Sequence, residues 1–167
     1  RALRALADSA PGTAAADRRA LLASLLLWEH QHTPDTAAFT AAARDIIARA
    51  GSGNAADALP AWHRFAQCLL ARGARTAAER VYDATLRAYA HVFAQPTRRV
   101  DDLAELLWMA FEHACTLLRT GRSAAAISIV LQCAGVTSAE TEANIAPTTV
   151  LRARAALAER RRSMRPA

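Results

Sequence analysis

Lysine is missing from this chain, and all 21 of its basic residues are arginine. Together with 44 alanines, this reads as a coding-sequence bias rather than as selection at 21 separate sites. Cysteine is scarce and odd in number, and Cys68, Cys115 and Cys133 have no metal-ligand spacing. A disulfide framework is therefore not expected, and a reducing compartment is. Prolines are few, β-branched runs are almost absent and alanine is the strongest helix former, so the class expected is all-α. No apolar stretch reaches the roughly 18 residues a membrane span needs. The longest, Leu21 to Trp28, is short and interrupted by Ala23 and Ser24. There is no signal-peptide architecture, and the opening Arg1 suggests a piece cut from a longer protein. With 167 residues, 53% of them hydrophobic, the chain is long enough to bury a core.

The formal charge of +6 invites a nucleic-acid reading, but its distribution argues against one for most of the chain. Residues 148–167 hold six arginines against Glu159, a balance of +5, which leaves +1 for residues 1–147.

What the chain does have is a bipartite pattern met three times: an aromatic-bearing helix, a short break, then an alanine-rich helix. A repeated helical hairpin is the sequence mark of a solenoid, whose units bury a shared core by stacking and whose usual work is holding other molecules. Residues 1–10 read as the end of a preceding helix, stopped by Pro11-Gly12. A first repeat is expected over 17–50. Asp17 caps its first helix, Leu21, Leu25 and Trp28 share a face, and Thr33-Pro34 starts a second helix with Phe39, Ala42, Ala43, Ile46 and Ala50 on one stripe. The second repeat, 57–94, places Trp62, Phe65, Ala66 and Leu69 inward, breaks at Gly73, and continues from a Thr76 cap with Ala78, Tyr82, Leu86 and Tyr89 aligned. In the third, 101–135, Asp102 and Glu105 form a capping pair and Trp108, Phe111, Cys115 and Leu118 form the inner stripe. After the Gly121 turn, Ala126, Ile129, Val130 and Cys133 face inward. A last helix with a basic tail is expected over 147–162. The Trp28 to Trp62 spacing is 34 residues and the Trp62 to Trp108 spacing 46, so the repeat is irregular and its excess falls in a loop.

At the second unit the pattern becomes specific. Trp62, Phe65-Ala66, Gly73 and Ala78-x-x-Val81-Tyr82-Asp83-x-x-Leu86 resemble the half-a-TPR (HAT) repeat, which reads Trp-x-x-Tyr-Ala, a turn glycine, then Ala-Arg-x-Val-Tyr/Phe-Glu-Arg-Ala-Leu. Glu79, Leu69 and Ala84-Thr85 depart from it. Ala43-Arg44-Asp45-Ile46-Ile47-Ala48-Arg49-Ala50 is similar to the second half, and Trp108, Phe111 and Gly121 to the first, with Ile127 to Leu131 a loose second half. The likeness covers about residues 17–135. It implies an α-solenoid of antiparallel helix hairpins of HAT or tetratricopeptide (TPR) type. It further implies a scaffold in an RNA-processing assembly, and the irregular, alanine-rich units look most like the nuclear RNA-interference-defective family. A nuclear location follows from that likeness, with the cytoplasm as the alternative.

Trp28, Ile46, Trp62, Phe65, Tyr82, Leu86, Trp108 and Phe111 are accordingly expected to be structural core, the tryptophans as packing pins rather than a binding surface. Cys68 and Cys115, at equivalent places in their helices, read as small buried hydrophobes. His30 and His32 stand two apart and diverge on a helix, so they do not chelate together. Glu112-His113 lacks the metalloprotease spacing, and no glycine-rich phosphate loop occurs. The expectation is a non-catalytic scaffold with protein partners, no cofactor, no metal and no small-molecule substrate. Arg64, Arg72, Arg75 and Arg80 are the candidate partner-binding residues. Arg160, Arg161, Arg162 and Arg165 form a tail that would bind RNA weakly or serve nuclear import, against the plainer reading of a solvated helix end. Two alternatives stand beside this: a TPR-type module of a bacterial regulator or signalling protein, and an all-α enzyme whose site is assembled from distant residues.

Overall fold

The computed structural model describes residues 15–51, 58–91, 100–134 and Ala155. The described residues form six helices and no strand, so the described part of the protein is all-helical. In chain order these are α1 (Ala15–His32), α2 (Thr36–Gly51), α3 (Leu59–Ala71), α4 (Arg75–Ala88), α5 (Val100–Arg119) and α6 (Ser123–Cys133). Two compact units, Arg1–Thr85 and Leu86–Ala167, divide the chain, and the division falls in the last turn of α4. The expected helices over 1–10 and 147–162, and with them Arg160, Arg161, Arg162 and Arg165, lie outside the described residues apart from Ala155.

In the first unit α1 packs against both α2 and α3, and α2 against α3. The core consists of Leu22, Leu25 and Leu26 from α1, Phe39, Ala43, Ile46 and Ile47 from α2, Phe65, Ala66 and Leu69 from α3, and Ala78 and Tyr82 from α4. Aromatic rings link these layers: Phe39 lies 5.8 Å from Phe65, and the His63 ring stands edge-on to Tyr82 at 6.4 Å. Ile46, Phe65, Tyr82 and Leu86 are core, as the sequence indicates.

Trp28 is not core. It is 40% exposed, because α1 buries Leu22, Leu25, Leu26 and Glu29 rather than Leu21, Leu25 and Trp28. The leucine-rich run from Leu21 to Leu27 supports either face, and a shift of one residue turns the buried stripe by about 100°. Trp62 is half-buried, with its ring 6.2 Å from Phe65.

The start signal before α2 is correctly placed, but its capping residue differs. α2 begins at Thr36, so Asp35 holds the capping position, and its Oδ2 accepts the Ala38 N–H at 2.6 Å. The Thr33 hydroxyl donates instead to Glu29 Oε2 at 3.1 Å. Likewise α4 starts at Arg75 and α5 at Val100, which leaves Thr76 and the Asp102–Glu105 pair inside their helices rather than before them. Asp17 likewise lies inside α1 rather than before it.

One turn is used twice. After α3, Gly73 N–H donates to Leu70 O and Ala74 N–H to Leu69 O, both at 2.9 Å. After α5, Gly121 N–H donates to Leu118 O and Arg122 N–H to Leu117 O, both at 3.0 Å. Each is a Schellman closure, which needs a left-handed residue at its centre, and Gly73 (φ 73°) and Gly121 (φ 74°) supply it without a Cβ penalty. The next helix starts two residues after each glycine.

In the second unit α5 packs against α6. α5 buries Leu103, Leu106, Met109, Ala110, His113, Ala114 and Leu117, and α6 buries Ala126, Ile129, Leu131 and Cys133. The expected inner stripe of α5 is therefore its outer one: Trp108 is 56%, Phe111 60% and Leu118 54% exposed. Val130 of α6 is exposed as well, its place in the core taken by Leu131.

Candidate partner-binding surface

α5 is apolar along two stripes. At 100° per residue the stripe of Trp108, Phe111, Cys115 and Leu118 lies about 150° around the helix from the stripe centred on Leu106, Ala110 and Leu117. Only one of them can face α6. The aliphatic and small residues take that place because they allow close approach of the two helices, and the aromatic stripe is left outward. It runs at i, i+3, i+7 and i+10, about 15 Å of helix surface. The Trp108 and Phe111 rings lie 6.0 Å apart at 38°, and Trp108 Nε1 donates to Glu112 Oε1 at 3.0 Å, which orients the indole along the helix. Single exposed apolar side chains are ordinary, but three large ones aligned on one helix face are not. Trp28 on α1 is a smaller instance, with His32 stacked on it at 4.4 Å.

The four arginines named as partner-binding residues separate into two groups. Arg75 and Arg80 are exposed. Arg64 is half-buried and donates from Nη1 to Gln67 Oε1 at 2.8 Å. Arg72, the residue that ends α3, is turned inward, contrary to expectation. Its Nη2 donates to His30 O and Thr33 O, each at 2.5 Å, its Nη1 to Pro34 O at 3.1 Å, and its Nε to His30 Nδ1 at 2.9 Å. The guanidinium also sits 4.3 Å over the Phe39 ring. A fork of five donors suits the end of a helix whose carbonyls lack partners, and here it ties α3 to the turn between α1 and α2. Sequence reasoning missed this role. The available signal was an arginine directly before the turn glycine, a place from which its side chain can reach back across the preceding hairpin.

The two histidines diverge, as their spacing indicates: His30 receives Arg72, and His32 Nδ1 lies 2.8 Å from Trp28 O. Among the described residues no group of three or more His, Cys, Asp or Glu side chains could hold a metal ion. No described helix is long and apolar enough to cross a membrane.

Cys68 and Cys133 are buried, while Cys115 is half-buried on the outer stripe of α5. Burial pushes the Cys68 thiol up, against an opposing pull from Arg64 and Arg72, so it remains protonated at neutral pH. Titration of the native protein with a thiol reagent at pH 7.5 should modify Cys115 first, and Cys68 and Cys133 only as the protein unfolds. Equal rates at all three would contradict the burial pattern.

The described residues thus define an all-helical protein with an exposed aromatic helix face. Comparison with protein-family models, with curated proteins and with solved structures finds no match to this chain.

Proposed function

We propose that this chain is a non-catalytic helical-repeat scaffold, a stack of HAT- or TPR-like hairpins, that binds a protein partner through the outer face of α5. The observation that carries the reading is the exposed stripe of Trp108, Phe111 and Leu118. Large aromatic side chains are the commonest energetic anchors of protein interfaces, and exposing them to water without a partner carries a standing aggregation cost. The repeat architecture is supported by the packing of α1 on both α2 and α3, and by the same glycine turn after α3 and after α5. Resemblance to HAT repeats favours a partner from a nuclear RNA-processing or RNA-silencing assembly, with any RNA contact weak and confined to the arginine tail.

The test is affinity capture from nuclear extract with wild-type protein and with a double variant, Trp108→Ser with Phe111→Ser. RNA-processing factors should be recovered by the wild type. The variant should recover them at least tenfold less well, since anchors of this kind contribute about 2 kcal/mol or more. Its circular dichroism should match the wild type, because neither side chain is core. Equal recovery by both proteins would remove α5 as the binding face, and a wild-type capture without RNA-processing factors would remove the assignment to that assembly.

A further inference from the structure

The Arg72 cluster has a property that its packing role does not require. Three of its acceptors are backbone carbonyls of His30, Thr33 and Pro34, which do not titrate in water. The fourth is a histidine ring nitrogen, and it accepts only while the ring is neutral at that atom. Once His30 is protonated, its Nδ1 carries a hydrogen that points at the Arg72 Nε–H, and two cations face each other across a distance of 2.9 Å. We propose that the Arg72–His30 hydrogen bond is a proton-sensitive latch, in which protonation of His30 releases the guanidinium from the α1–α2 turn and frees that turn from the end of α3.

The surroundings of the ring favour this over a neutralising alternative. From α3 the charge facing His30 is Arg72 itself. From α2 the ring meets Phe39, edge-on at 5.8 Å, which carries no charge. On α1, Glu29 accepts the Thr33 hydroxyl, and His32 is held against the Trp28 carbonyl and ring. At the start of α2, Asp35 accepts the Ala38 N–H as the helix cap. Burial and then the Arg72 charge lower the His30 pKa from its ordinary 6.5, as the geometry requires. A histidine whose folded pKa is depressed contributes stability that is fully present above the unfolded value. That contribution is lost as pH falls below about 6.5 toward the folded value, because the unfolded chain takes up the proton first. Opening therefore belongs to mildly acidic conditions, and the Phe39 ring loses its cation in the same event.

The experiment is an NMR titration of the full chain from pH 7.5 to 5, following the His30 ring and the backbone amides between residues 33 and 39, Pro34 having none. It is run on wild type, Arg72→Met and His30→Asn. In the wild type the ring should titrate below 6.5, and the amides should shift with it. Their exchange protection, corrected for intrinsic rates, should fall at least tenfold across the same midpoint. In Arg72→Met the midpoint should rise toward 6.5. In His30→Asn, where the amide oxygen accepts in place of Nδ1 and cannot titrate, the 33–39 amides should not respond to pH. A midpoint unmoved by Arg72→Met, or a turn indifferent to His30 titration, overturns the latch. Should Arg72→Met not fold, the wild type against His30→Asn decides it, because a turn that responds equally in both is not governed by His30.

Discussion

Phe65→Ala is expected to lower the stability of the protein by about 3–5 kcal/mol. Phe65 is buried at the middle of α3, the helix on which both α1 and α2 pack, and its ring is in aromatic contact with Phe39 and Trp62. Truncation removes the transfer energy of the ring and leaves a void that three helices cannot close together, since each is held by its other contacts. A loss of that size is a large share of the roughly 5–15 kcal/mol that stabilises an ordinary domain, so the variant should show a strongly lowered urea midpoint. Trp108→Ala is the informative control. Although tryptophan is the larger residue, Trp108 is more than half exposed, and its removal should cost no more than about 1 kcal/mol. If the two substitutions cost the same, the division between core and surface aromatics described above is wrong.

Arg72→Met should cost about 2–4 kcal/mol, a large effect for a residue that is only half-buried. Methionine keeps an apolar stem but takes the guanidinium from over the Phe39 ring, so the loss combines the hydrogen bonds with the cation–π contact. Four hydrogen bonds are broken at once, and the carbonyls of His30, at the end of α1, and of Thr33 and Pro34, in the turn after it, lose their Arg72 donor. Denaturation of Arg72→Met, His30→Asn and the double variant at pH 7.5 gives the coupling between the two side chains. A cost below about 0.5 kcal/mol for Arg72→Met would mean that water replaces the guanidinium as a partner without penalty.

Among the described residues the helices themselves were legible in the sequence, although α4 ends at Ala88 where the pattern was expected to continue past Tyr89. Alanine content, Pro60 in the first turn of α3, and the glycines at 73 and 121 each act through the local backbone, and a local cause can be read locally. Capping residues were less legible. Thr33 and Asp35 both satisfy the chemistry of a cap, and the choice between them depends on where the first helical turn closes, which the packing of α2 decides. The faces were least legible of all. α1 and α5 each carry more apolar side chains than one contact face can use, so periodicity identifies a helix without identifying its inward side.

The sequence by itself therefore determined the all-helical class, the positions of the breaks and the left-handed glycine turns, because those follow from intrinsic backbone preferences over a few residues. Tertiary structure alone decided that α5 turns Leu106, Ala110 and Leu117 inward and leaves Trp108 and Phe111 outside, and that Arg72 turns back to the α1–α2 turn instead of toward solvent. Burial is a competition between faces for a limited contact area, and a hydrogen bond between residues 30 and 72 depends on where the chain brings them; neither is encoded in the spacing of neighbouring residues.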